Sequence, residues 1–343
     1  MPLALLFAFL AWQADGLHIA LVGDVMLGRL VNEVLRHKPP AHPWGDVLPV
    51  LRRADIRIAN LECVISDRGR PWTATPKVFH FRSDAKNVAV LAEAGLHVVS
   101  LANNHALDYG YDAMADMLGL LDRAGIRRAG AGKNRGEACR PAFLDAGGIK
   151  LAFLAFTDNE PPWEAADQRP GTCYVPTRLD DRRAQFLMRL VSDTRAQAGL
   201  LIVSAHWGGN WGYPPPEEHK TFGRALLDAG ADVVFGHSAH VFRGIEVWRG
   251  KPILYSTGDF VDDYAVDARE RNDESFIFLL RVAGGAVQEI SLIPTLIRDF
   301  QAHLAQGATA ERIARRMQTL CAQAGTTAEW DRAARCLRIR KPW

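Results

Sequence analysis

Short apolar runs rich in β-branched residues recur along this chain, and each ends in a polar signature. The runs are residues 19–22, 56–59, 98–101, 201–203 and 233–235. Runs of this length are typical of buried strands, and neighbouring parallel strands deliver their carboxyl ends to one edge of a sheet. Amphipathic helical segments alternate with the runs. We therefore expect an α/β protein with a functional site where the strands end.

The composition is that of a globular protein without a nucleic-acid footprint. The chain has 343 residues, enough for one large domain or two smaller ones, and its 41 basic residues nearly balance its 39 acidic residues. The five cysteines are odd in number and widely spaced, without a Cys-x-x-Cys pair. This spacing predicts neither a disulfide framework nor a zinc-thiolate site, and it favours reduced thiols in the cytoplasm.

The segment 1–16 allows two interpretations. Residues 2–12 form an apolar run with the length of a signal-peptide core, but no Lys or Arg precedes it. Trp12 is too large for the usual pattern around a cleavage position at Ala14, and the run is too short to span a bilayer. The segment is either a cleaved or remnant signal or an apolar lead-in packed on the domain. We prefer a cytoplasmic protein. The alternative is an exported or membrane-associated one, with any membrane contact made through this segment.

The order of elements predicts two mixed sheets packed together, with helices outside. Helices are expected over residues 30–36, 85–94, 113–124, 180–196 and 217–229. Hairpins are expected at 141–146 with 149–156, 245–248 with 252–256, and 276–282 with 287–293. The proline-rich stretch 157–175 reads as a long loop. A main domain over 17–298 is followed by a helical extension over 299–343, with helices at 311–322 and 328–335.

Oxygen ligands follow the first three runs. Asp24, Glu62 and Asn104 each come just after one of them, and such oxygens suit hard divalent cations. His105 follows Asn104, and Asp108 three residues later would polarise its imidazole for acid–base catalysis. The alternatives are local: a helix N-cap at Asp24, a cap or surface charge at Glu62, and a left-handed turn at Asn104.

Histidines follow the last two runs. His206 comes after the fourth run, while His237 and His240 stand three residues apart after the fifth. Neutral imidazole nitrogen binds transition metals well, and this spacing lets both rings face one cavity. A buried core histidine is the alternative for His206. The combined set predicts a divalent metal site with one or two ions, which are Mn, Zn, Fe, Mg or Ca.

Other residues are candidates for contact with a substrate. His219 is a second acid–base candidate, or else a solvent-facing residue of a helix. The acidic group Asp259, Asp262 and Asp263 is expected either to orient imidazoles or to form a solvated loop. Arg29 and Arg82 either clamp a carboxylate of the substrate or are ordinary surface residues. The substrate-binding candidates are Arg29, Arg82, Trp207 and Asn210.

These signatures resemble the CapA family of capsule or poly-γ-glutamate synthesis proteins, which look like distant relatives of the calcineurin-like metallophosphoesterases. The resemblance covers about residues 17–294. It implies a four-layered αββα sandwich with two metals at the strand ends and His105 as the catalytic imidazole. The ligands that it implies are Asp24, Glu62, Asn104, His206, His237 and His240.

The chain also departs from the family pattern. Met26 stands where a metallophosphoesterase has a histidine, and a thioether is a poor ligand for a hard divalent ion. One metal position is therefore expected to be lost or weak. Asn210 replaces a common Glu, Ser238-Ala239 replaces His-Pro, and Asp259 replaces a common Asn.

The chemistry expected of such a site is hydrolysis or carbonyl polarisation. We favour amide hydrolysis or transfer on a peptide or poly-γ-glutamate-like substrate over phosphoester cleavage, since in-line phosphoryl displacement profits most from two ions. One alternative is a peptide epimerase that removes and returns a Cα proton, as in enzymes of this family that act on lasso-peptide precursors. Another is a non-catalytic protein of capsule-polymer assembly or export. The pattern predicts no nucleic-acid partner and specifies no oligomeric state.

Overall fold

The computed structural model describes residues 16–341. The predicted lead-in over 1–16 lies, apart from Gly16, outside the described residues. Within the described part, no helix is both long and apolar enough to cross a membrane.

The strands and helices are numbered in chain order. The strands are β1 Leu17–Val25, β2 Ile56–Leu61, β3 Val64–Ile65, β4 Arg82–Ser83, β5 Val98–Ser100, β6 Arg127–Ala129, β7 Ala131–Gly132, β8 Ala142–Ala146, β9 Ile149–Thr157, β10 Gly171–Thr172, β11 Leu200–His206, β12 Val233–His237, β13 Ile245–Trp248, β14 Lys251–Leu254, β15 Asp259–Val261, β16 Glu274–Ala283, β17 Ala286–Arg298, β18 Gln301–Leu304, β19 Glu329–Asp331 and β20 Cys336–Arg340. The α-helices are α1 Arg29–Leu35, α2 Leu48–Leu51, α3 Val88–Ala94, α4 Gly110–Arg123, α5 Arg135–Ala138, α6 Arg182–Arg195, α7 Glu217–Asp228 and α8 Gly307–Gln323. Segments of 3-10 helix span His42–Val47, which is kinked at Gly45, Ala85–Asn87 and Pro161–Trp163.

Two large mixed sheets form the centre of the fold. The larger runs β19-β20-β17-β16-β1-β2-β5-β6, with β15 also paired to β1 and β18 to β17. The smaller runs β13-β14-β12-β11-β9-β8. In each sheet the strands that carry the polar signatures are parallel, so their carboxyl ends share one edge.

Apolar side chains fill three spaces, which gives four layers. Between the sheets, Ile19 and Ile58 pack in one cluster with Phe153 and Ile202 from the opposite sheet. Outside the large sheet, side chains of α3 and α4 form a second cluster, and α6 and α7 cover the small sheet with a third. The predicted αββα sandwich is confirmed. Burial of this kind contributes about 25 cal/mol per Å² of apolar surface, which makes it the main source of stability.

The predicted helices and hairpins are found close to their expected positions. The first five expected helices correspond to α1, the 3-10 turn with α3, α4, α6 and α7. The hairpins are β8–β9, β13–β14 and β16–β17. In the first, Gly147 and Gly148 have φ of 55° and 73°, which a two-residue turn with both centres left-handed requires.

The carboxyl-terminal segment differs from the expected helical extension. Helix α8 confirms the first expected helix, but the second, over 328–335, is wrong. Residues 329–331 and 336–340 are strands β19 and β20, and β20 pairs with β17 in the large sheet. Leu337 and Ile339 lie in the core between the sheets, and Arg338 pairs with Glu289 of β17. These long-range contacts override the local helical preference. The division at residue 298 stays a prediction.

The expectation of reduced thiols throughout is also wrong. Cys139 and Cys173 form a disulfide across 34 residues, while Cys63, Cys321 and Cys336 are buried free thiols. Pairing of β7 with β10 brings the two cysteine Cα atoms to 5.0 Å. The cysteines therefore no longer support the prediction of a cytoplasmic protein.

Candidate metal centre

The candidate ligands meet where the two sheets present the carboxyl ends of their parallel strands. Asp24 is on β1, Glu62 follows β2 and Asn104 follows β5 in the large sheet. His206 and His237 end β11 and β12 in the small sheet, and their positions are register partners. The structure thus brings residues that are far apart in the chain to one location, as the sequence predicted.

The ligand atoms lie within a few ångströms of one another. Nδ1 of His206 is 2.8 Å from Nδ1 of His237, which is 4.0 Å from Oδ1 of Asp24. Two groups of residues place their donor atoms within 4.8 Å of one another. One group is Asp24 with His206 and His237, and the other is Asp24 with His240 and Asp259. An Oε1 of Glu62 lies 3.9 Å from Nε2 of His206. Nitrogen and oxygen donors at such spacing are suited to a divalent ion.

Several of these atoms are buried without a hydrogen-bond partner. They are Asp24 Oδ2, Glu62 Oε1, Asn104 Oδ1, His206 Nε2 and Asp259 Oδ2. A buried polar atom left unpaired costs roughly 1–3 kcal/mol, so this many in one place needs a compensating group. A cation bound among these residues would supply partners that the protein does not provide. The residues present therefore fit a divalent metal.

The protonation behaviour of the cluster is consistent with metal ligation. Burial, then the charges of Asp24 and Asp259, raises the pKa of Glu62 well above its usual value. Burial lowers the pKa of His237 to about 3, and burial together with neighbouring histidines lowers that of His206 well below its usual value. Both imidazoles are thus neutral near pH 7 and can bind a metal through nitrogen. A bound cation would lower the raised pKa of Glu62 again, because it favours the charged form of the carboxyl.

His105 and Asp108 form a buried pair beside the ligands. Nδ1 of His105 is 2.5 Å from Oδ2 of Asp108, which also accepts a hydrogen bond from the Phe81 amide at 2.6 Å. Nε2 of His105 faces Glu62 at 3.9 Å. Burial lowers the pKa of His105, although Asp108 opposes this shift. An acceptor on Nδ1 fixes the proton there and leaves Nε2 unprotonated toward the centre.

Two asparagines connect the ligands into a rigid frame. Nδ2 of Asn60 donates to Asp24 Oδ1 at 2.8 Å and to Glu62 Oε2 at 3.2 Å. Nδ2 of Asn103 donates to Asn60 Oδ1 at 3.0 Å. In the polar signatures, Asn60 stands two residues before Glu62 and Asn103 directly before Asn104, but the sequence pattern indicated no role for either. Their position within those signatures was the available signal.

Lys77 also contacts the site, although no sequence pattern indicated it. Its Nζ donates to the Asn104 carbonyl at 2.6 Å and lies 3.4 Å from Asp108 Oδ1 and 3.2 Å from Glu160 Oε1. The side chain is 7% exposed. Lys77 comes from an irregular segment between β3 and β4, where no periodicity marks it.

Some predicted site residues lie elsewhere or are already engaged. His219 is buried on α7 and stacks on Trp207, whose indole N–H donates to the Tyr255 carbonyl at 2.9 Å. The Trp207 amide donates to the carbonyl of the candidate ligand His237 at 3.4 Å. Burial of His219 excludes the solvent-facing alternative. The acid–base role of His219 and the substrate contact of Trp207 stay predictions. Arg29 pairs with Asp263 through Nε and Nη2, which leaves it poorly placed to clamp a substrate.

Arg82 and Asn210 remain accessible for a substrate. The guanidinium of Arg82 lies 4.3 Å from the Tyr109 ring centre and donates to the Arg68 carbonyl at 3.3 Å. Asn210 is exposed in the loop after β11. The neighbouring Trp211 is 38% exposed, and its ring centre lies 5.9 Å from that of His240, so this loop forms part of the rim.

Residues 18–264 match the family described as bacterial capsule synthesis protein PGA_cap. The chain is 32% identical to a Mycobacterium tuberculosis protein described as a probable polyglutamine synthesis accessory protein, over 90% of this chain and 93% of that one. It is 31% identical to the PGA biosynthesis protein CapA of Bacillus subtilis, over 74% of this chain and 65% of that one. A solved hypothetical protein from Thermus thermophilus superposes with a TM-score of 0.50 at 17% identity, over 81% of this chain and 98% of that one. This last likeness concerns the fold alone.

Proposed function

The chain belongs to the bacterial capsule synthesis protein family PGA_cap, and from that premise we propose that it is a divalent-metal-dependent enzyme acting on a peptide or poly-γ-glutamate-like substrate. The proposed reaction is hydrolysis or transfer of an amide bond. The observation that carries the proposal is the cluster of buried, unpartnered ligand atoms from both sheets, next to a histidine–aspartate pair. The names of the relatives, which refer to polyglutamine and PGA synthesis, support an amide-linked polymer as substrate.

The proposed ligands are the oxygen and nitrogen donors that follow the parallel strands of the two sheets. They are Asp24, Glu62, Asn104, His206, His237 and His240. When bound, a divalent ion polarises a carbonyl oxygen and lowers the pKa of water from about 15.7 to about 7. Asn60 keeps Asp24 and Glu62 oriented by donating to both. The imidazoles need no proton loss to bind, because burial already keeps them neutral.

His105 is the proposed acid–base residue. Asp108 holds the proton on Nδ1, so the lone pair of Nε2 faces the ligand cluster. Nε2 can take a proton from the attacking water and return it to the departing amine. The ring is held edge-on against Phe81, with ring centres 4.4 Å apart, which fixes its direction. Lys77 neutralises Asp108 from the other side.

Substrate recognition is proposed to involve Arg82 and the loop with Asn210. Arg82 directly follows Phe81, the residue that packs against the His105 ring. Among the described residues, no carboxylate oxygen lies within 4.0 Å of its guanidinium nitrogens. Its charge is thus available for the carboxylate of an anionic polymer.

The test uses purified protein loaded with Mn²⁺ and an oligomer of γ-linked glutamate in D₂O. Product chain length, newly formed amines and deuterium incorporation at Cα are followed by mass spectrometry. Shortened or transferred chains support the proposal. Deuterium at Cα without cleavage would indicate epimerisation, and an unchanged substrate would indicate an assembly or export role.

His105→Ala is the decisive variant. We expect loss of turnover by at least about 100-fold with Mn²⁺ binding unchanged, since general acid–base catalysis contributes about 10²–10⁴-fold. His303→Ala, which changes a histidine remote from the ligands, is the matched control. Turnover that survives in His105→Ala contradicts the assignment.

A further inference from the structure

The loop that follows β11, residues 207–213, holds a tryptophan in a conformation that a bulky residue rarely adopts. We call this segment the rim loop. Trp211 has a φ of 70°, in the left-handed region that favours glycine. Its side chain is 38% exposed, although tryptophan is on average largely buried. Strained residues persist only where the surrounding structure holds them, and they concentrate at functional sites. Both features indicate a task for this ring outside the core.

A buried arginine holds the rim loop in this conformation. Nε of Arg243 donates to the Gly212 carbonyl at 2.8 Å, and its Nη2 donates to the Trp211 carbonyl at 3.0 Å. Arg243 is 4% exposed, and its Nη1 is buried without a hydrogen bond. The planar fork of a guanidinium suits two neighbouring carbonyls, which a single ammonium group does not. Arg243 is therefore turned into the loop, and its charge is not presented to a ligand at the surface.

Further contacts join the rim loop to the ligand cluster and to a neighbouring segment. The Trp211 amide donates to the carbonyl of Ala239, the residue directly before His240, at 2.9 Å. The Gly212 amide donates to Glu270 Oε2 at 3.2 Å. Glu270 belongs to the segment between β15 and β16. The rim loop and that segment therefore form one wall beside the candidate ligands.

Two aromatic rings of this wall contact His240. The ring centres of Trp211 and Tyr264 lie 5.9 Å and 5.1 Å from that of His240. The Tyr264 ring centre lies 5.9 Å from that of Phe81, which is 4.4 Å from that of His105. A row of rings thus runs from the exposed indole past the ligand cluster to the proposed acid–base residue. A group bound on the Trp211 ring would lie next to the candidate ligands.

Other exposed apolar side chains stand on segments that border the same site. Seven large apolar side chains are exposed among the described residues, and all but Leu179 and Phe186 belong to such segments. The Leu30 amide donates to Asp263, and the Phe79 ring centre lies 5.4 Å from the Arg29 guanidinium. Exposed apolar side chains that concentrate around one site mark a binding surface. The five residues of this surface are Leu30, Val78, Phe79, Trp211 and Val266.

We propose that Trp211 binds a large apolar side chain of a peptide substrate beside the metal centre, and that Arg243 positions Trp211 by holding the rim loop. This inference rests on the proposed function and adds to it the kind of substrate residue that the site recognises. An indole face suits an aliphatic or aromatic side chain. A chain of γ-linked glutamates offers a carboxylate at every residue instead, and Arg243 does not present its charge to one. The preferred substrate is therefore a peptide with an apolar residue rather than a uniformly anionic polymer.

The first test measures contact with Trp211 without measuring turnover. The full chain is produced with 5-fluorotryptophan at its nine tryptophans and loaded with diamagnetic Zn²⁺, and the Trp211→Phe variant assigns the Trp211 fluorine resonance. The probes are a five-residue alanine peptide with a central phenylalanine, the same peptide with glutamine there, and an oligomer of five γ-linked glutamates. We expect a saturable shift of the Trp211 resonance with the phenylalanine peptide and binding at least about 10-fold weaker for the other two.

Three outcomes of this titration would overturn the inference. They are no shift with any probe, equal affinity for all three probes, and a shift that follows protein concentration alone, which would indicate contact between copies of this chain. None of them decides the proposed function, which is judged by turnover. Wild-type protein that binds the phenylalanine peptide without converting it would count against the proposed reaction and leave the binding site at Trp211 standing.

The second test separates the contact made by Trp211 from the positioning by Arg243. With Mn²⁺-loaded protein and the phenylalanine peptide, we expect Trp211→Ala to raise KM by about 10-fold with little change in kcat. Arg243→Met should raise KM in the same way, and Arg243→Lys should restore part of the loss. Arg249→Met, which changes an exposed arginine of the β13–β14 hairpin, is the matched control.

The glutamine peptide distinguishes recognition from general damage to the site. Its KM should change little in Trp211→Ala and Arg243→Met, because it has no apolar side chain to place on the indole. An equal rise of KM for both peptides would overturn the assignment. If Arg243→Met does not fold, the kinetics of Trp211→Ala and the fluorine titration decide.

Discussion

At the scale of single residues, Lys77 connects the acid–base pair to the ligand set. It donates to the backbone of Asn104 and lies 3.4 Å from Asp108, on the side opposite His105. Its removal leaves a buried carboxylate without a nearby cation and frees the Asn104 loop. In the proposed mechanism Lys77 would therefore act as a positioning residue rather than a catalytic one.

We predict that Lys77→Met lowers kcat by about 10–100-fold, the loss expected when general acid–base catalysis is impaired but not abolished. KM should change little, because the ammonium is buried and already engaged. Lys77→Arg should restore part of kcat. Steady-state kinetics on the Mn²⁺-loaded protein measure both parameters, with the exposed Lys38→Met as control. A change in KM alone would show that Lys77 binds substrate instead.

His219 offers a separate test at the same scale. Burial lowers its pKa to about 4, and its two ring nitrogens have no hydrogen-bond partner. The pKa of this histidine in the unfolded chain is about 6.5. Between pH 6.5 and pH 4, His219 is therefore protonated in the unfolded chain but neutral in the folded chain. This histidine costs stability as the pH falls through that window.

We predict that His219→Phe removes about 2.4 kcal/mol of acid destabilisation between pH 7 and pH 4.5, since a phenyl ring can stack on Trp207 in the same place. The free energy of unfolding of both proteins, measured by denaturant titration at pH 7 and pH 4.5, should diverge toward acid in favour of the variant. Turnover of the variant also tests the acid–base role predicted for His219, since retained turnover would contradict that role. A parallel pH dependence would contradict the assigned burial effect.

At the scale of elements, the disulfide secures the long loop beside the site. Cys173 follows β10, and Glu160 in the same loop pairs with Lys77. A crosslink between residues 34 apart in sequence stabilises by about 4 kcal/mol in the chain-entropy account.

We predict that reduction lowers the free energy of unfolding by about this amount, and that Cys139→Ser/Cys173→Ser lowers it equally. Denaturant titrations with and without a phosphine reductant measure the effect. The double variant should be insensitive to the reductant, because the other cysteines are free thiols. An equal effect of reductant on the variant would show that the stabilisation has another source.

The elements also show what local sequence can predict. Each candidate ligand follows an apolar run, so the predicted strand ends indicated that Asp24, Glu62, Asn104 and the histidines would lie at one edge of the fold. Residues 328–335 contain alanines and charged residues that favour a helix, but only pairing with β17 decides their conformation. The partner of Cys139, the contacts of Lys77 and the approach of Asp259 to Asp24 all depend on chain segments that meet only in the folded protein.

At the scale of the whole molecule, the ligand cluster joins the two sheets. Asp24, Glu62 and Asn104 belong to the large sheet, while His206 and His237 belong to the small one. A divalent ion bound as proposed would connect both halves of the sandwich and would be lost when they separate. Because an ion that binds only the folded state stabilises it by RT ln(1 + [L]/Kd), stability should rise with the free ion concentration.

We predict that adding Mn²⁺ to chelator-treated protein raises the free energy of unfolding by about 4 kcal/mol at a thousand times Kd. The increase should continue logarithmically with concentration, and thermal unfolding followed by circular dichroism measures it. His206→Ala/His237→Ala should lose most of the increase, because the small sheet then contributes no imidazole from its strand ends. Arg29→Ala, which breaks an ion pair outside the ligands, should keep it. An increase of equal size in both variants would mean that Mn²⁺ acts at a site other than the junction of the sheets.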